Sequence, residues 1–347
     1  CHLMVMNIIH FDLFKVPIQV MISHKNKAEL VMPLPDLLKN NLSIPVICAP
    51  MFLVSTPKLV IENCKNGIVG SFPALNIRPQ EKLDDWLTEI DQALAKFKKD
   101  NPTKKVAPFA VNQVVHPSNS RLMADQDLIR KHKVPMVITS QGNPAEIVKD
   151  VHTWGGIVFH DVIKTEHAKK AIAAGVDGII VVGAGAGGHG GHHNPFALVR
   201  EIREFWDGPL ALAGAINDGH SIRAAEVLGA DMAYMGTRFI ATKEAQAPDD
   251  YKTMLIDATI NDIIFSDHFT GVHANYLKAS IEAAGIDVKA LQSKGRVDMD
   301  LGNSNSWKDI WSAGHGVGGI HSIPSIEELA IQLITEYKAA CQLESFC

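Results

Sequence analysis

Aromatic residues are scarce, at 6% of 347, and the five cysteines (Cys1, Cys48, Cys64, Cys341, Cys347) are odd in number and form no Cys-x-x-Cys pair. That spacing fits neither a disulfide framework nor a zinc site, so reduced thiols and a cytoplasmic setting are the expectation. No sign of charge dominates. Thirty-three basic residues against 38 acidic ones leave a formal net charge of -5, which excludes the basic footprint of a nucleic-acid binder. No uninterrupted apolar run reaches the roughly 20 residues of a membrane span. The nearest approach, Leu3 to Ile22, is broken by His10, Asp12, Lys15 and Pro17 and lacks a basic flank and a small-residue cleavage site. It reads as part of an N-terminal extension, residues 1–43, with Met21 and Met32 as alternative starts.

What is abundant is small or turn-forming: 26 glycines and 17 prolines, alongside 46% hydrophobic residues. From Ile44 onward short apolar runs end in Gly, Pro, Asn or His and are followed by amphipathic segments. The spacing predicts strands at Ile44–Cys48, Ile68–Ser71, Val106–Ala110, Met136–Thr139, Gly156–His160, Gly178–Val182, Leu210–Ala213 and Met232–Met235. Helical patterns fill the intervals, and Asn194-Pro195 offers a capping side chain before a proline at a helix start. Strands apolar on both faces belong to a parallel sheet covered by helices. Eight such units predict an α/β fold, a (β/α)8 TIM barrel, over 44–241 plus 307–347, with a helical lid or insertion after strand 8 at 242–306. Within that insertion the pattern predicts helices at Tyr251–Ala258 and Ala274–Ala284 and a polar stretch, Lys294–Ser306; a last helix, Ser325–Leu343, closes the shell.

In such folds the chemistry lies at the carboxyl ends of the strands. The seventh and eighth end in Ala213-Gly214-Ala215 and Met235-Gly236-Thr237-Arg238. Small residues there admit a ligand to the backbone, and a short helix from Thr237 directs its positive end at an anion, so a phosphate site is expected. The sixth ends in a glycine run, Gly183 to Gly191, holding His189. Its Gly-x-Gly-x-x-Gly match at Gly183, Gly185 and Gly188 is not a dinucleotide fingerprint, because the next helix waits until Pro195. It gives instead a bare backbone able to lie against a flat ligand. His189, His192, His193 and the pair His160-Asp161 admit a metal reading, but without a ligand spacing none is expected.

Taken in order, Pro45-Val46-Ile47-Cys48-Ala49-Pro50-Met51, Phe109-Ala110-Val111-Asn112, Ala186-Gly187-Gly188-His189-x-Gly191, Ala213-Gly214-Ala215, Gly229-Ala230-Asp231 with Met235-Gly236-Thr237-Arg238-Phe239, and Trp311-Ser312-Ala313-Gly314 resemble the nitronate monooxygenases, FMN-dependent TIM barrels once called 2-nitropropane dioxygenases. The resemblance spans about Ile44 to Ile320. It implies FMN with its phosphate against Gly214, Ala215, Gly236 and Thr237, beside Met235. It also implies that Ala49, Pro50 and Met51 flank the ring, Asn112 hydrogen-bonds it, and the Gly187-Gly188 backbone passes close. His189 matches the family's active-site histidine, acting as base or cation on a nitroalkane or nitronate, and His160 is a second candidate base. Where relatives commonly carry Gln and Glu in the glycine run, this chain has Val182 and Gly185. The implied activity is oxidation of alkyl nitronates with O2, in a monomer or homodimer. Two alternatives stay open: an NAD(P)H-dependent flavin reductase, such as an enoyl-acyl-carrier-protein or quinone reductase, and a metal-dependent or cofactor-free lyase or hydrolase on the same barrel.

Overall fold

The computed structural model describes residues 34–293 and 309–343; the polar stretch Lys294–Ser306, Cys1, Cys347 and residues 1–33 lie outside them. The barrel strands are β1 (Val46–Cys48), β2 (Gly70–Pro73), β3 (Phe109–Val114), β4 (Met136–Ser140), β5 (Ile157–Val162) and β6 (Gly178–Val182). After a two-residue strand, β7 (Gly188–His189), come the last two, β8 (Leu210–Ala213) and β9 (Met232–Met235). They form one eight-stranded parallel sheet in the order β1-β9-β8-β6-β5-β4-β3-β2. A parallel bridge from Ile47 to Val69, just ahead of β2, joins the two ends and closes the cylinder. The expected TIM barrel is present.

Strand parity organises its core. Ile47, Ala110, Ile138, Phe159, Ile180, Ala211 and Tyr234 point inward and fill the cylinder. Their neighbours Val111, Val137, Val158, Val181 and Leu212 point outward against the helices. Both sets are buried. The extension expected over 1–43 meets the barrel within its described part: helix α1 (Asp36–Lys39) is flanked by Leu34 and Leu42, and both join Leu38 in the interior cluster.

Around the sheet run α2 (Pro57–Lys65), α3 (Lys82–Asp100), α4 (Leu122–Lys131), α5 (Ala145–Val151), α6 (Thr165–Ala173), α7 (Pro195–Arg203) and α8 (Gly219–Leu228). Helix α7 starts as its sequence predicts, with Asn194 accepting from the Phe196 N–H at 2.9 Å and Pro195 in the first turn. Other expectations shift. β3 begins at Phe109 rather than Val106, because Pro108 has no N–H to give the ladder and pairing with β2 starts at Phe109. β2 and β5 each run two residues past their expected ends, so His160 and Asp161 are both strand residues.

After β9 come α9 (Thr237–Ile240), α10 (Asp249–Asp257), β10 (Ile263–Ser266), β11 (Ala274–Leu277), α11 (Lys278–Ala283) and, past the second gap, α12 (Ile326–Cys341). The insertion is therefore not wholly helical. Ala274–Leu277, expected to open a helix, is a fully buried strand, because it pairs with β10 on one side and with β7 on the other. Pairing and burial outweigh the local helical preference of Ala and Leu there.

Candidate active site

A cavity of about 490 Å³ lies at the carboxyl ends of the barrel strands. Ala49, Pro50 and Met51 form one wall, Asn112 another, and Gly187, Gly188 and His189 a third; Gly214, Ala215, Gly236 and Thr237 close the corner after β8 and β9. Met235 is absent from this wall. It sits on the outward face of β9, packed in the helix layer, and only its carbonyl serves the site, accepting from the Ala49 N–H at 2.9 Å.

Two different physical reasons account for the small residues of that corner. At Gly214 (φ +125°) a Cβ would stand 2.8 Å from the Ala184 carbonyl, at Gly187 2.9 Å from Gly314 N, and at Gly314 2.6 Å from the Gly185 carbonyl. These glycines are needed because three backbones converge. The Gly185 carbonyl accepts from His315 N at 2.9 Å, and Gly314 N donates to Thr237 Oγ1 at 2.9 Å. Gly236 differs. A Cβ there meets nothing closer than 3.7 Å, at Ala49 Cβ and Met51 Sδ, so packing does not require the glycine, and the space it leaves faces the cavity. It is the N-cap of α9, to which no side chain adds a capping bond. An uncapped N-terminal turn beside a cradle that a Cβ would fill fits the phosphate end of a flavin nucleotide.

His189 is placed by elements that the periodicity of the sequence did not disclose. Gly188 and His189 pair with Asn275 and Ala274 of β11, and Asn275 Nδ2 donates to the Ala186 carbonyl at 2.7 Å. The ring's Nε2 lies 2.9 Å from Thr270 Oγ1, in the turn between β10 and β11. Burial pushes the imidazole down from 6.5 to about 4, so it is neutral at pH 7.

Parity also decides between His160 and its neighbour. Phe159 is inward, so His160 faces outward, where Thr139 Oγ1 meets its Nδ1 at 2.8 Å; it lies off the 490 Å³ cavity and on the wall of an adjoining one. Asp161 faces in. Asn112 Nδ2 donates to Ser140 Oγ at 2.8 Å, and Ser140 Oγ donates to Asp161 Oδ2 at 2.6 Å, three inward residues at the ends of β3, β4 and β5. Asp161 Oδ1 is sealed from solvent with no hydrogen-bond partner among the described residues, and burial raises the carboxyl from 3.8 to about 7. Ser140 and Asp161 were not among the expected site residues; once the structure shows Phe159 facing in, the two-residue period puts Asp161 on the same side. On the far side Trp311 stacks on Tyr251 (centroids 4.7 Å apart, planes at 14°), and both line the cavity.

The nitronate monooxygenase family model matches residues 36–336. The chain belongs to the nitronate monooxygenase family. Members of this family are flavin-dependent oxidoreductases, and this chain is such an enzyme. A nitronate monooxygenase of Paraburkholderia phytofirmans is 26% identical over 359 aligned positions, covering 87% of this chain and 94% of the relative. A 5-hydroxy-7a-methyl-1-oxo-octahydro-1H-indene-4-carboxyl-CoA dehydrogenase of Rhodococcus jostii is 27% identical over 237, covering 68% of this chain and 63% of the relative's length. Among solved structures, FabK from Thermotoga maritima superposes with a TM-score of 0.71 at 24% identity, covering 88% of this chain and 96% of that one, a likeness of fold. Among the described residues of this nitronate monooxygenase family member, no helix is long and apolar enough to cross a membrane, and no three His, Cys, Asp or Glu side chains are grouped to hold a metal ion.

Proposed function

We propose that the chain binds FMN in the 490 Å³ cavity and oxidises alkyl nitronates with O2, with His189 as the proton-transfer residue. The observation that carries the reading is the pairing of the open Gly236 cradle with a neutral, strapped imidazole in the same cavity. The bound flavin supplies the electron transfer, from substrate and on to dioxygen. Gly236 and Thr237 would hold the phosphate, and Ala49, Pro50, Met51, Asn112 and the Gly187-Gly188 backbone, which line the same cavity, would hold the ring. His189, uncharged at pH 7, takes the proton from the carbon bearing the nitro group. The C–H bond breaks, its electron pair stays on the substrate as the nitronate, and the proton resides on the imidazole. The same burial disfavours a standing cation in the free enzyme, which supports the base reading over the cation reading. Asp161, uncharged below about pH 7, spares an anionic nitronate from repulsion.

One observation favours a second reading, an NAD(P)H-dependent flavin reductase: the Rhodococcus relative is named a dehydrogenase. The purified protein separates the two. A flavin spectrum, rapid oxygen uptake with propionate 3-nitronate and no bleaching by NADH without oxygen are expected for the monooxygenase. Bleaching by NADH and no uptake with the nitronate would transfer the chain to the reductases. His189→Ala is expected to keep its flavin and lose about 10²-fold or more in kcat/KM on a neutral nitroalkane. Unchanged kinetics would remove the imidazole from the reaction.

A further inference from the structure

The cavity does not end at His189. A second chamber of about 1010 Å³ adjoins it, and Asn112, Ser140, Gln141, Asp161 and His189 line both. It continues outward between the start of α5 and one face of α6, where His167, Lys170, Ala171 and Ala174 follow one another at helical spacing. Its size is at the upper end of pockets that enclose drug-sized ligands, roughly 300–1,000 Å³. A small nitroalkane would leave most of it to water.

Its lining is divided along its length. Phe52, Leu75, Ile163 and Val272 are apolar, whereas His160, His167 and Lys170 lie on the α6 side; the sole carboxylate of the wall among the described residues, Asp161, is at the junction beside His189. Lys170 has no ion pair among the described residues. His160 occupies an outward strand position flanked by the buried Val158 and Val162, and is itself 5% exposed. The core does not call for a polar pair such as His160 and Thr139 at that depth. The field there is positive as well: besides burial, Lys164 and Lys170 push the His167 ring down, with Glu166 opposing them, and His167 acts likewise on His160. An anion seated there would relieve that repulsion.

We propose that this chamber holds the body of the substrate, an elongated and largely apolar molecule whose anionic end, remote from the reacting carbon, is held by Lys170 and His167. The inference rests on the reading of the first cavity as the flavin site, since a coenzyme there leaves the second chamber as the space that meets His189.

The test titrates the full-length, flavin-loaded protein calorimetrically with decanoate and with 1-decanol, in wild type, Lys170→Glu and Lys170→Gln. Decanoate is expected to bind about fivefold or more tightly than decanol and to weaken by about fivefold in Lys170→Glu, less in Lys170→Gln, while decanol is unmoved. Raising the salt to about 0.5 M should weaken decanoate alone. Equal affinities for acid and alcohol, or decanoate binding indifferent to both substitutions, would overturn the anionic end. Binding of neither probe below about 1 mM would overturn the chamber itself. The visible absorbance of the protein as first purified reports on the first cavity separately: a colourless protein that takes up no added flavin defeats the flavin reading, and a yellow one that binds no decanoate defeats only this inference.

Discussion

Thr270 has one hydroxyl proton, and the Val272 carbonyl, His189 Nε2 and the Tyr276 hydroxyl all lie against its oxygen. Its Oγ1 lies 3.0 Å from the Val272 carbonyl, to which it donates, and 2.9 Å from His189 Nε2. With the proton committed to Val272, Thr270 accepts from Nε2–H, which fixes the tautomer and gives Nδ1 the lone pair. A hydrogen bond is worth about 0.5–1.5 kcal/mol net, so Thr270→Ala should lower kcat by up to about tenfold with little change in KM or in flavin content. Thr270→Ser, which keeps the hydroxyl, should recover most of the loss. If the serine variant is as poor as the alanine, the methyl's packing rather than the hydrogen bond positions the ring.

At the scale of elements, the site is a corner where the ends of β6, β8 and β9 meet the segment around Gly314. The pattern of β strands was legible because each is a short apolar run between turn residues, and so was the corner, because Ala213-Gly214-Ala215 and Met235-Gly236-Thr237 end adjacent strands. Which face a residue takes was not legible. When both faces of a strand are buried, the apolar pattern loses its period of two, and His160 and Asp161 look equivalent. The β10–β11 hairpin escaped for another reason: Ala-Asn-Tyr-Leu has no alternation to betray a strand, and one of its two pairing partners, the strand Gly188–His189, is more than 80 residues away in the chain. The corner carries its own prediction. Gly236→Asp would put a carboxylate where the phosphate is expected, and the Cβ itself fits without a clash, so the fold should survive while the flavin is lost on gel filtration. A variant that unfolds, or one that keeps full flavin, would each refute that account of Gly236.

Across the whole molecule, the closed sheet makes the barrel mouth a place where ionisable groups are held away from water, and the stability of the fold inherits their titration. His160 and His189 are both pushed from 6.5 to about 4. Between those values the unfolded chain binds protons that the folded chain refuses, so stability falls as pH drops from about 6.5 toward 4. Asp161 acts in the opposite sense. Raised from 3.8 to about 7, it keeps its proton in the folded protein after the unfolded chain has lost it, so its contribution is complete below 3.8 and disappears as pH rises through 7. Asn is uncharged throughout, and its amide oxygen can still accept from Ser140. Thermal unfolding of Asp161→Asn should therefore gain on wild type as pH rises from 5 to 7, by a few degrees, and hold that gain at pH 8, with the fall below pH 6 retained because the two histidines remain. Parallel curves for the two proteins from pH 5 to 8 would mean that Asp161 is ionised across that range, and the uncharged carboxyl assigned to the cavity would have to be withdrawn.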